Sequence, residues 1–264
     1  MRLIRFTLLA VCLTVPMAAQ VDHTKSYEAR VFEDPSGGRL KYRLFRPADY
    51  DASKRYPLVV YLHGSGGRGD DNLKQLTGGN AWGTRLFSSA KVQNDYPSFV
   101  LAPQTDPTTR GIGWGGFGPR TPAGRKFAAE PAGDPIDLLA GLIDSLSTEF
   151  SLDAGRVYVT GQSMGGYGSW GAITRYPERF AAAAPICGGG DPSAVGRIGI
   201  PIWAFHGSAD QTVPVEQSRV MVEALKAIGA KVNYTEYPGV GHNSWEKAYS
   251  EAELVEWLFA QRRP

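Results

Sequence analysis

Cysteine is nearly absent from this sequence: only Cys12 and Cys187 occur in 264 residues. A disulfide-stapled scaffold is therefore excluded, and an apolar core must hold the fold. Histidine is scarce too, with four residues, so a role for imidazole can be sought by elimination. No charge sign dominates, with 28 Lys+Arg against 26 Asp+Glu. That balance gives no support for nucleic acid or an anionic membrane as a partner. No apolar run reaches the roughly 20 residues that a spanning helix needs. We find no internal repeat, linker or domain boundary.

The start of the chain has its own composition. "MRLIR" is basic, "FTLLAVCLTV" is apolar and "PMAAQ" is rich in small residues. This predicts a secretory signal peptide over residues 1–19 and one catalytic domain over 20–264. The expected destination is secreted or periplasmic, with no membrane partner after cleavage. Cleavage would remove Arg2, Arg5 and Cys12, leaving 26 basic against 26 acidic residues and Cys187 alone.

Two strand-like runs, "YEARVFED" and "RLKYRLFRP", flank "PSGG" and predict a hairpin. Buried strands are predicted over 56–64, 98–104, 155–161, 180–189, 200–207 and 231–238, although the alanines of 180–189 also permit a helix. Ile136, Leu139, Ile143, Leu146 and Phe150 recur at helical spacing, as do Met221, Val222, Leu225 and Ile228. A third amphipathic helix is predicted in "EAELVEWLFAQRR". Strands alternating with helices predict an α/β fold with a mostly parallel sheet covered on both faces. Residues 105–133 are Gly- and Pro-rich without a period, and read as a long functional loop.

Gly161-Gln162-Ser163-Met164-Gly165 fits G-x-S-x-G. The motif alone is weak in a Gly-rich chain, but its context is a strand before and a helix after. That arrangement is a nucleophile elbow, whose sharp turn requires small neighbours such as Gly161 and Gly165. A serine needs a base. His242, in the Gly-flanked loop "YPGVGHNSW", falls at the carboxyl edge of the sheet with the elbow. For the acid, Asp210 in "HGSADQTVP" is favoured over Asp191 in "CGGGDPS". An oxyanion hole is expected from the Met164 N–H and from the loop "LHGSGGRGD", with Ser65 as donor and Gly64 or Gly66 as alternates. His63 is expected to brace that loop.

The segments "YPLVVYLHGSGGRGDDNLKQL", "GQSMGGYGSW", "HGSADQTVPVEQSRVMVEALK" and "YPGVGHNSW" together resemble secreted α/β-hydrolase carboxylesterases. The nearest group is the polyhydroxybutyrate-depolymerase-like, feruloyl-esterase-like and "predicted peptidase" sequences, over roughly residues 40–260. The resemblance implies an α/β-hydrolase fold with an antiparallel N-terminal hairpin and no large cap domain. It implies a Ser163–Asp210–His242 triad acting without a metal or organic cofactor.

Expected substrates are short-chain acyl esters, carbohydrate-linked acetyl or feruloyl esters, or polyesters. Trp114 and Trp245 are candidate substrate-binding residues, with a packing role as the alternative. Trp170, Trp203 and Trp257 are expected in the core. Two rival readings are a prolyl-oligopeptidase-like serine peptidase and a non-catalytic carbohydrate-binding protein on a hydrolase scaffold. Oligomeric state is not legible.

Overall fold

The computed structural model describes residues 22–106, 113–114, 120–121, 124–125 and 134–263. The predicted signal peptide and most of the 105–133 loop lie outside the described residues.

Among the described residues ten strands form: β1 (Tyr27–Glu33), β2 (Arg39–Phe45), β3 (Tyr56–Leu62), β4 (Phe99–Gln104), β5 (Arg120–Thr121), β6 (Gly124–Arg125), β7 (Leu152–Gln162), β8 (Ala182–Ile186), β9 (Ile202–Gly207) and β10 (Val232–Tyr237). Eight of them build one sheet in the order β1-β2-β4-β3-β7-β8-β9-β10, and β5 pairs with β6 separately. The hairpin pairs antiparallel with Tyr27 opposite Phe45, and β2 meets β4 antiparallel. From β4 to β10 every pairing is parallel. The alanines of β8 are strand; wedged between β7 and β9, the segment has a ladder partner on each side, which outweighs alanine's helical propensity.

The helices are α1 (Ala81–Phe87), α2 (Ala90–Asp95), α3 (Pro135–Glu149), α4 (Met164–Arg175), α5 (Glu216–Ala227), α6 (Trp245–Ala248) and α7 (Ala252–Phe259). All seven residues of β3 are buried. Their side chains alternate between two cores. Leu58, Val60 and Leu62 join α3, α4 and α5 through Leu139, Trp170 and Met221. Val59 and Tyr61 join α1, α2, α6 and α7 through Phe87, Val92, Ala248 and Leu258. A strand buried on both faces is continuously apolar for this reason. Helix α3 starts where Asp134 accepts the Ile136 N–H at 2.8 Å, with Pro135 in the first turn.

No elements were predicted over residues 65–97. The structure places three short 3₁₀ turns there, followed by α1 and α2. Elements of three to seven residues are too short to display a period.

Candidate active site

Parallel strands bring their carboxyl ends to one edge. Ser163 follows β7, Cys187 follows β8, Asp210 comes three residues after β9, and His242 five after β10. These strands are sheet neighbours, so their loops share a rim. Two loops are laced together: Ala209 N–H donates to Val240 O at 2.9 Å and Gly239 N–H to Ser208 Oγ at 2.9 Å. That lacing carries His242 toward Asp210.

Ser163 has φ +54°. A non-glycine residue there stores on the order of 1–3 kcal/mol of strain. The turn is held because the Ser163 N–H donates to Ile186 O at 2.9 Å and to Cys187 Sγ at 3.2 Å. Backbone contact is so close that a Cβ on Gly165 would lie 1.8 Å from Leu62 O, and one on Gly161 2.5 Å from Gly165 O. Only glycine fits either place.

His242 bridges Asp210 and Ser163. Its Nε2 lies 2.8 Å from Ser163 Oγ and its Nδ1 2.7 Å from Asp210 Oδ2. The carboxylate can only accept, so Nδ1 carries hydrogen and a neutral ring leaves Nε2 free to take the serine proton. Asp210 is buried. Burial opposes its charge, but hydrogen bonds from His206, His242 and the Val213 N–H outweigh that cost and hold the carboxyl well below the usual range. Asp191 instead caps a 3₁₀ turn by accepting the Ser193 N–H at 2.9 Å.

The loop after β3 abuts the elbow, with a Cβ on Gly64 placed 3.5 Å from Gln162 O. The Gly64 N–H is already occupied, donating to Asn80 Oδ1 at 2.9 Å. Gly64 is therefore removed as an alternate oxyanion donor. Ser65 and Gly66 open the 3₁₀ turn Ser65–Gly67 and are exposed. N–H groups at such a start have no partner within the turn. Met164 occupies the equivalent first position of α4.

His63 is fully buried behind this loop. Its Nδ1 lies 2.7 Å from Gly64 O, and its Nε2 accepts the Thr105 N–H at 3.1 Å. This fixes the neutral tautomer with hydrogen on Nδ1. Burial pushes its pKa down to about 4.

Trp114 requires a correction. It is fully buried, its Nε1–H donates to His63 O at 3.0 Å, and its ring packs 5.0 Å from His63. A side chain enclosed in this way supports the loop after β3 from below and offers no face to substrate. Trp245 is different: half-buried, it stands edge-on to His242 with centroids 5.3 Å apart. Trp170 is in the core as expected; Trp203 and Trp257 are partly buried against the second cluster.

Four residues near the site had no role in the sequence reading. Gln162 accepts the Tyr61 hydroxyl at 2.8 Å and donates to Gly79 O at 2.8 Å. Asn80 holds Gly64. Cys187 has φ +40° and receives the Ser163 N–H; burial pushes its thiol pKa far up. His206, fully buried, faces Asp210 Oδ2 at 3.3 Å. Only His206 left a sequence signal, its spacing of four from Asp210. Among the described residues, one group of three metal-type donors lies close together, Cys187, Asp210 and His242, within 4.8 Å. Asp210 and His242 are bonded to each other and the thiol is protonated, so the set suits a hydrogen-bonded relay better than a cation.

Comparison with known proteins gives this arrangement a family. The Esterase family model matches residues 36–262. The chain belongs to the Esterase family. Among solved structures, a thermostable esterase is 43% identical with a TM-score of 0.82, covering 91% of this chain and 64% of that one. An "Uncharacterized secreted protein" of Arthroderma benhamiae is 25% identical, covering 78% of this chain and 24% of that protein. The feruloyl esterase module from Clostridium thermocellum, solved with sinapinate, shares the fold at a TM-score of 0.63 and 15% identity, covering 92% of this chain and 93% of the module. The chain thus spans about a quarter of the fungal protein and under two thirds of the thermostable esterase. The fold of this Esterase-family member is the α/β-hydrolase fold. Its open sheet carries helices on both faces.

Proposed function

We propose that this chain is a serine carboxylesterase that cleaves carboxylic esters through an acyl-enzyme. The observation that carries this reading is the single imidazole of His242, in hydrogen-bond reach of both Ser163 Oγ and Asp210 Oδ2. Ser163 Oγ attacks the ester carbonyl as His242 Nε2 takes its proton. Asp210 holds the ring and stabilises the imidazolium. The Met164 and Ser65 N–H groups receive the oxyanion. His242 then protonates the leaving alcohol, activates water against the acyl-enzyme, and returns the proton to Ser163. Every proton and bond in this sequence is accounted for without a metal or cofactor.

Trp245, beside His242, is the remaining aromatic candidate for substrate contact. Membership of the Esterase family supports an ester over a peptide. Suitable substrates are short acyl esters, acetyl or feruloyl groups on carbohydrate, and polyesters. The basic, apolar and small-residue order of residues 1–19 supports export with cleavage, leaving 20–264 as the catalytic domain in a secreted or periplasmic location. No helix among the described residues is long and apolar enough to cross a membrane.

The test is hydrolysis of p-nitrophenyl acetate and butyrate by the parent and by Ser163→Ala. The variant is expected to lose essentially all turnover. Retention of most of it removes Ser163 from the chemistry.

A further inference from the structure

We propose that His206 is a positioning residue for the reaction, a second imidazole that contacts the same carboxylate oxygen of Asp210 as His242 and helps hold it. The inference rests on the Ser163–His242–Asp210 reading and extends it.

Three observations converge on this ring. First, His206 is the penultimate residue of β9 and is fully buried, as is the side chain of Asp210 four residues later. Two such groups rarely share an interior without a shared task or a satisfied network. Second, His206 Nε2 lies 3.0 Å from Val213 O and 3.3 Å from Asp210 Oδ2. Both are pure acceptors, so Nε2 carries a hydrogen, bonded to Val213 O with Asp210 Oδ2 close beside it. Third, the ring is clamped from behind: Nδ1 lies 2.7 Å from Ser218 Oγ, which lies 2.9 Å from Gly188 O. The ring is thus fixed with Nε2–H bonded to Val213 O and held against Asp210 Oδ2.

The outcome is a carboxylate with three hydrogen bonds and a fourth close N–H neighbour. Oδ1 accepts the Thr212 and Val213 N–H groups at 2.8 and 2.9 Å. Oδ2 is divided between His242 Nδ1 and His206 Nε2. A carboxylate so held cannot rotate away from His242. The His206 hydrogen also lies beside the oxygen that supports the His242 imidazolium.

Other ionisable groups face this cluster. Glu236 pairs with His206 in register across β9 and β10 and is itself bound by Arg219 of α5 and by Tyr234. The Cys187 thiol lies beside Asp210 and His242 after β8. Glu236 feels His206 electrostatically, so a change at position 206 reaches it too.

Two amide replacements separate positioning from packing. Asparagine places its amide near the Nδ1 position and loses the donor to Asp210. Glutamine reaches the Nε2 position and keeps it. The His242 imidazole resonance is titrated by NMR, with assignment by its loss in His242→Ala. In His206→Asn the midpoint is expected to rise by about half a pH unit, because Oδ2 gains charge. The acidic limb of kcat/KM should move up with it, and kcat should fall about tenfold with KM within about twofold. His206→Gln should return the midpoint toward the parent. An unmoved midpoint in a folded His206→Asn protein overturns the proposal, as does an equal shift in both variants. Should His206→Asn fail to fold, Ser218→Ala loosens the same ring and is expected to raise the midpoint by less; no rise there is equally adverse. The NMR arm needs no ester turnover. Full activity in Ser163→Ala would therefore overturn the esterase mechanism while the His206–Asp210 coupling is still read directly.

Discussion

The indole N–H of Trp114 donates to the main-chain carbonyl of His63 at 3.0 Å. This bond ties a residue from the Gly-rich 105–133 segment to the base of the proposed oxyanion loop. It also explains the tight fit of α4, since a Cβ on Gly168 would come 2.4 Å from the Cβ of Trp114. Under the proposed mechanism, Trp114 acts on catalysis through loop placement.

Trp114→Ala is accordingly expected to lower kcat/KM by a similar factor for acetate and for bulky aromatic esters. It should also cost about 3–5 kcal/mol of stability, the scale for truncating a buried aromatic. Paired kinetics and urea melts check both parts. A loss confined to aromatic esters would return Trp114 to the cleft wall.

The two aspartates once in competition predict opposite outcomes. Asp210→Asn removes the charge that supports the His242 imidazolium and disturbs its tautomer, so kcat should drop on the order of 10³-fold or more. Asp191→Asn retains an acceptor for its Ser193 contacts, and rates should stay within about twofold, with stability within about 0.5 kcal/mol. Stopped-flow or steady-state assays on the pair decide it.

His63 carries a pH prediction. Burial depresses its folded pKa to about 4, against about 6.5 in an unfolded chain. Between those values the unfolded state binds more protons, so stability falls as pH drops through that window and levels off below it. At full burial the contribution is about 3 kcal/mol. Chemical denaturation from pH 7 to 4 should show this loss in the parent, and a shallower dependence in His63→Gln.

Asn80 fixes the Gly64 N–H, so Asn80→Ala leaves a buried donor without an acceptor. The expected cost is about 1–3 kcal/mol, and kcat should fall about tenfold with little change in KM as the neighbouring Ser65 N–H drifts. Asn80→Asp keeps an acceptor oxygen and should recover part of the rate. Thermal melts alongside steady-state kinetics provide the check.

Much of the frame was legible before any coordinates. The continuous apolar runs at Tyr56–Leu62 and Phe99–Gln104 read as two-faced strands because both faces are in fact covered. The elbow was legible because backbone crowding at Gly161 and Gly165 leaves only one residue type. The helices α1 and α2 were not, since one or two turns give no period. Trp114 was misplaced for a different reason: an indole in a Gly-rich loop looks the same in sequence whether it faces a cleft or a core.

By itself, the sequence determined the strand and helix pattern, the sharp turn at Ser163, and a short roster of histidines and aspartates at strand ends. Those features are local, set by side-chain periodicity and by steric limits within a few residues. Only the tertiary structure decided that Asp210 meets His242, that Asn80 occupies the Gly64 N–H, that Trp114 lies beneath His63, and that His206 flanks the acid. Each of these is a contact between segments far apart in the chain or folded back through a turn. Sheet order and loop lacing bring them together, and no periodicity in the chain encodes a distance of 3 Å across such a gap.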